Sequence, residues 1–221
     1  MLVPPAVFGQ KRTLTLSLEL GIQMVKYQLI AVAIVFSMAA CTTGVQINRG
    51  ATYQSPMGQF ICGPFDLDTR VQAAFGAHGG TLRFIDEVDM TRIDVQEFQP
   101  PLDENFLQGS RAELYRDYLS AEILPLVKTA VPNAQLVDTR SAVIGERPVY
   151  QSAILMPGKS NAISGDGKPF DGLRVQVQYT NGRYMFTVSI NSAVSPEKSR
   201  DEQIRTALSY AGFRFKECIF P

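Results

Sequence analysis

No excess charge of either sign marks this chain: 21 lysines and arginines stand against 21 aspartates and glutamates. A nucleic-acid binder carries a basic excess, so no nucleic-acid partner is expected, and no second, electrostatic hold on a membrane. Histidine is almost missing. The single one, His78, stands in Gly76-Ala77-His78-Gly79-Gly80, where a solvated loop residue is the ordinary outcome. A hydrolase triad would set it beside a serine and an acid, and no Gly-x-Ser-x-Gly elbow is present. Zinc needs clustered histidine and cysteine ligands, which this sequence does not supply. Gly158-Lys159-Ser160 ends like a phosphate loop, but Ala153 sits where that motif needs its first glycine. Gly165-Asp166-Gly167 and Asp171-Gly172 lack the spacing and closing glutamate of a calcium loop and read as solvated turns. The expectation is a protein that is no enzyme and uses no cofactor and no metal.

Long apolar runs are scarce as well. A spanning helix needs about 20 apolar residues; the run from Leu29 to Ala40 is shorter and is broken by Ser37. Its surroundings matter more. Lys26 precedes it, Leu29 to Phe36 is wholly apolar, and small residues lead to a cysteine. That is the order of a secretory signal: charged, apolar, then a small-residue cleavage site. The ending Met38-Ala39-Ala40-Cys41 resembles the lipobox of bacterial lipoproteins, with Met38 where that family usually has leucine. The resemblance implies cleavage before Cys41, acyl chains such as palmitate on Cys41, and a cell-envelope location at a membrane. Thr42 replaces the aspartate that in Gram-negative lipoproteins resembles an inner-membrane retention signal, which favours the outer membrane, facing the periplasm. Residues 1–40 are thus a signal region. Pro4 and Pro5 oppose helix at its start, and Met24-Val25-Lys26 would open a compact signal by itself. Translation is expected to begin at Met24; the alternative is one long leader from Met1 carrying Lys11 and Arg12.

Cysteine is sparse, three in all. With Cys41 lipidated, Cys62 and Cys218 remain near the two ends of an exported domain, where a disulfide persists. The expected bridge has Cα atoms about 4.4–6.8 Å apart and contributes about 4–5 kcal/mol in the chain-entropy model. The alternative is two separately buried thiols.

Residues 41–54 are polar and aperiodic and read as a lipidated flexible tether; 55–221 has the length of one domain. Gln59 to Cys62 is a short strand. Phe65 to Gly80 is ambiguous, with helical turns ending at Gly76. Thr81 to Glu87 and Met90 to Phe98 are strands joined at Val88-Asp89. Ser110-Arg111-Ala112-Glu113 forms a capping box, opening a helix whose stripe includes Leu114, Tyr118, Ile123 and Val127; Pro125 should kink or end it. Ala134 to Ile144 and Pro148 to Met156 are strands. Asn181-Gly182 is a type I′ hairpin signal that sets Val177 opposite Phe186, with Arg174, Gln176, Gln178, Thr187 and Ser189 on the other face. Ser195-Pro196-Glu197 caps a last helix, with Gly212 as its left-handed end.

These elements give an α+β class: a single antiparallel β-sheet with two main helices packed against it. Tyr53-x-Ser55-Pro56-x-Gly58-x-Phe60, the mid-chain helix, and the closing helix with Phe213-Arg214-Phe215 resemble the PsbP-like fold over most of residues 53–220. That fold occurs in photosystem extrinsic proteins and bacterial lipoproteins, and it implies architecture rather than activity. Two functions follow as expectations. The first is a non-catalytic envelope lipoprotein that binds a protein partner or supports an assembly. The alternative is a small-ligand binder using a cavity between helix and sheet, lined by Tyr115, Tyr118, Tyr179 and Tyr184. A hydrolase ranks last.

Overall fold

The computed structural model of the chain describes residues 43–85, 90–160 and 167–221, without the side chains of Thr43 and of 104–106. The signal region, Cys41, the joint at Val88-Asp89 and Gly165-Asp166 lie outside the described residues. Alternating apolar and polar residues make strand the commonest element among the described residues. Eight strands form one antiparallel sheet: β1 (Thr43–Ile47), β4 (Thr69–Gly76), β5 (Gly79–Ile85), β6 (Met90–Glu97), β7 (Gln135–Ile144), β8 (Arg147–Met156), β9 (Gly172–Thr180) and β10 (Tyr184–Ala193). Their order across the sheet is β1-β4-β5-β6-β10-β9-β8-β7. A second sheet of three short strands, β2 (Tyr53–Gln54), β3 (Ile61–Cys62) and β11 (Cys218–Ile219), runs in the order β11-β3-β2. The α+β class therefore stands, with an antiparallel main sheet and two main helical elements, whereas the expected single sheet is corrected to two.

Strand alternation sorts the main sheet into two faces. One carries Val71, Leu82, Phe84, Ile93, Val95, Phe186, Val188, Val175 and Val177. The helix α3 (Arg200–Lys216) packs on it through Ile204, Leu208, Ala211 and Phe215. The small sheet closes the same face. Phe60 and Phe220 are its wedge: Phe220 lies 4.6 Å from Phe186 and 5.0 Å from Phe215, ring centre to ring centre. The opposite face is covered near β8 by α1 (Glu104–Tyr118), a π-helical turn (Leu119–Ile123) and α2 (Leu124–Ala130). Tyr115, Leu119, Val127 and Val131 meet Tyr150, Ile154 and Met185 there.

Several local expectations are corrected, each for a physical reason. Phe65 to Gly80 is not helical: Val71, Ala73 and Phe75 also fit a period of two, and they form the inner face of β4. Within the segment read as a tether, Thr43–Ile47 pairs with β4, Val45 opposite Val71, and Tyr53 pairs with Cys62. Ser110 caps nothing, because α1 already begins at Glu104. The earlier start buries Leu107 against the β9–β10 turn, where Leu102 N donates to Gly182 O. Pro125 neither ends nor removes the helix; the chain opens into the π turn just before it, Leu124 N donating to Leu119 O, and Pro125 sits in the first turn of α2, where it is tolerated. The cap of α3 is Ser199, whose Oγ accepts from Glu202 N at 3.2 Å, while Gln203 binds the Ser195 backbone at both its N and O. Gly212 lies inside α3, not at its end.

The β9–β10 hairpin keeps its faces but not its partners. Val177 is opposite Val188 rather than Phe186, and Thr180 pairs with Met185. Asn181 explains the longer loop. Its Oδ1 accepts from both Arg183 N and Tyr184 N, while Thr180 Oγ1 accepts from Gly182 N and donates to Tyr184 O. Side chains supply the bonds that a two-residue turn makes through backbone. The shift is two residues, the strand period, so no side chain changes face.

Candidate functional site

Cys62 and Cys218 are joined by a disulfide, each the direct cross-strand partner of the other in β3 and β11. That pairing brings the Cα atoms to 4.0 Å, just short of the expected range, as the close approach of directly opposed strand residues gives. A void of about 10 Å³ beside the bridge, lined in part by Phe65, Thr91 and Ile93, has room for a water at most.

His78 occupies the β4–β5 turn. Its Nδ1 lies 3.0 Å from Glu97 Oε2, and Gln99 Nε2 touches the same nitrogen. Arg183 Nε donates to Glu97 Oε1 at 3.1 Å. The hydrogen bonds from His78 and then Gln99, with help from Arg183, hold the Glu97 carboxyl below its ordinary value. The ring's contacts are thus an acid and an amide on the surface. Among the described residues no three histidine, cysteine, aspartate or glutamate side chains gather as a metal site would need.

The four tyrosines offered as one lining are split between the two faces of the sheet. Tyr179 and Tyr184 belong to the α3 side, Tyr179 stacking on Phe186 and meeting Phe215 edge-on. Tyr115 and Tyr118 lie on the α1 side. Tyr115 Oη accepts from Thr180 N at 2.9 Å, and burial pushes its pKa up to about 12. Tyr118 Oη donates to Gln96 Oε1, and burial raises it further.

Beyond them a polar ladder crosses this face. Tyr150, Gln178, Thr187, Asp94 and Thr81 are successive cross-strand neighbours, and Ser152, Gln176, Ser189 and Arg92 form the next rung. Asp94 Oδ1 accepts from Thr81 and twice from Arg92. Arg174 reaches Ser189, and burial lowers its pKa. Gln176 Nε2, both amide atoms of Gln178 and Thr187 Oγ1 are buried and have no hydrogen-bond partner among the described residues. Sequence alternation places these residues on one face; their burial comes from the long-range strand order, which local sequence does not encode.

An open concavity lies on the other side, between α3 and β7. It begins with helical spacing: Arg205, Ser209, Gly212, Phe213 and Lys216 recur at three and four residues and form one stripe. Gly212 lets the helix approach the sheet, since a Cβ there would meet Ile144 Cδ1 at 3.3 Å. Arg140 and Val143 of β7 form the facing wall, and the groove encloses about 440 Å³. One large apolar side chain, Phe213, stands exposed in it at 50%; alternation turns the exposed Val143 side chain to the other face of the sheet from Ile144. Three cations line it and no acid does. Arg140 is steadied by Gln151 at 3.1 Å, with Asp138 at 4.0 Å. β7 is an end strand of the sheet, paired among the described residues only with β8. Of these groove residues the sequence marked only Gly212, as a helix end, and Phe213, in the closing segment, and neither as part of a site. The available signal was the run of cations and Phe213 along one helical stripe.

Among the described residues no helix is long and apolar enough to cross a membrane. No protein-family model and no curated protein matches the chain. In shape it is similar to the solution structure of cyanobacterial PsbP (CyanoP) from Synechocystis sp. PCC 6803, with 12% identity, a TM-score of 0.44, and coverage of 83% of this chain and 99% of that one. It is also similar to the Saccharomyces cerevisiae Ran-binding protein Mog1p, with 8% identity, a TM-score of 0.40, and coverage of 80% and 96%. A crystal structure from Bacteroides thetaiotaomicron matches at 13% identity and a TM-score of 0.34, over 71% of this chain and 46% of that one.

Proposed function

We propose that this is a cell-envelope lipoprotein, held in a membrane through lipid on Cys41, that works by binding a protein partner rather than by catalysis. The observation that carries the binding part is the α3–β7 groove: an open sheet edge, the exposed Phe213 and three cations in one cleft with no acid among the described lining residues. The anchoring part rests on the sequence from Lys26 to Cys41, and Thr42 favours the outer membrane, periplasmic side. Acyl burial is additive at about 0.8 kcal/mol per methylene, and one chain holds only marginally. Several chains on one residue make a basic patch or amphipathic helix unnecessary. Metabolic labelling with a fatty acid tests the anchor: label in wild type and none in Cys41→Ser is expected, and an unlabelled wild type refutes it. In-cell photo-crosslinking tests the partner, which is expected as a stoichiometric adduct of defined mass.

The small-ligand reading keeps one specific support, the buried Gln176 Nε2 and Gln178 amide, unpaired among the described residues, on the sheet face that carries Tyr150. An unpaired buried polar group costs about 1–3 kcal/mol, which a polar solute would relieve. A small molecule co-purifying in place of a protein would favour this second reading.

A further inference from the structure

We infer that the α3–β7 groove takes an acidic, extended peptide segment of a partner protein, laid beside β7 as an added strand. The inference rests on the partner-binding reading of the same groove and specifies the partner's chemistry. Three observations converge on it. First, β7 is an edge strand of ten residues, and an unpaired edge is a template for another strand. The bulge between Leu136 and Asp138 interrupts it at one end, leaving Asp138 to Ile144 in continuous register with β8. Second, charge is one-sided. Arg205 and Lys216 flank the groove with no ion pair among the described residues, and no acid lines it. Third, the lengths agree. From Arg205 to Lys216 the helix rises about 16 Å, the length of about five residues of strand.

Alternation then assigns the contacts. Every second side chain of the incoming strand faces α3. Acidic groups there meet Arg205 and Lys216 at the two ends, and an apolar one between them covers Phe213. The remaining side chains face away and carry no specificity. Lipid or a second copy of the chain would not need both the open backbone edge and the central apolar gap between separated cations.

The test uses the full chain and a fluorescent peptide in which every second residue reads glutamate, valine, glutamate, with serine at the positions between, against its counterpart with lysine in place of glutamate. The glutamate peptide is expected to bind roughly tenfold or more tightly than the lysine one, and to weaken as salt is raised. The double variant Arg205→Glu, Lys216→Glu should reverse the preference. These positions are exposed, so the variant keeps its fold, which circular dichroism verifies. Amide exchange should slow in residues 138–143 and not at β1. Equal binding of the two peptides, an unchanged preference in the double variant, or unaltered exchange in 138–143 would each overturn the inference. So would crosslinks joining two copies through Ser141. In-cell crosslinking separates this from the broader reading: a stoichiometric partner trapped away from the groove sinks the docking mode and leaves the partner reading standing.

Discussion

At Gly182 a hydrogen in place of a side chain lets the β9–β10 turn and α1 meet. Its φ is +90°, and a Cβ would lie 3.0 Å from Leu107 Cδ1 and 3.4 Å from Leu102 O. Valine there carries both the backbone penalty and the clash, so Gly182→Val should cost about 1–2 kcal/mol or more, read as a lower urea midpoint at unchanged slope. An unaltered midpoint would mean that the turn tolerates a side chain. Tyr115 is the second decisive residue. Its hydroxyl is the partner of Thr180 N, and Tyr115→Phe should cost about 1–3 kcal/mol by leaving that donor buried and unpaired. It also carries a pH signature. Burial raises its pKa from 10.0 to about 12, so the folded state favours the neutral phenol. That stability is complete below pH 10 and is lost as pH rises from there through about 12. The alkaline decline in unfolding midpoint should be shallower in Tyr115→Phe; identical declines would remove Tyr115 from the account. Glu97 has the opposite sign: held below its ordinary value, it adds stability above the unfolded carboxyl's pKa that falls away on acidification through its own lower one.

Among the elements, the small sheet depends most on covalent help. Two-stranded pairings of two residues each are marginal alone, and the Cys62–Cys218 bridge spans 156 residues of sequence. Its reduction, or Cys62→Ser, should lower stability by about 4–5 kcal/mol, with the mobility shift on reduction confined to wild type in non-reducing gels. Equal stability with and without reductant would place the linkage outside the core. Elements whose pattern and neighbours agreed were legible in sequence: β6 to β10 and the existence of both helical elements follow from period and turn residues. Boundaries were not. The start of α1 depends on Leu107 finding the distant Gly182 turn, and the cap of α3 depends on Gln203 reaching back to Ser195. Of the small sheet only β3 was read, within the short strand Gln59 to Cys62; its two-residue partners show no period, and the pairing of Cys62 with Cys218 was the hint to one of them. The groove was hidden for a related reason. Its helix stripe is local, but its other wall, Arg140 and Val143, lies far off in sequence and joins it only after β7 takes the sheet's end.

At the scale of the molecule, β1 and β7 occupy the two ends of the eight-strand order. Cys41 precedes Thr43 by two residues, a covalent reach of about 7 Å. Seven strand spacings of about 4.8 Å separate the ends, roughly 34 Å before twist. With lipid on Cys41, a probe at Gln46 in β1 should be quenched by a lipid-borne quencher, and one at Ser141 in β7 should not; equal quenching would lay the sheet flat on the bilayer. The sheet is then a stand-off. Its width sets the height at which a partner is met, clear of the headgroups, and its rigidity keeps that height constant. Such a device would be tuned by adding or removing strands rather than by altering the anchor or the groove.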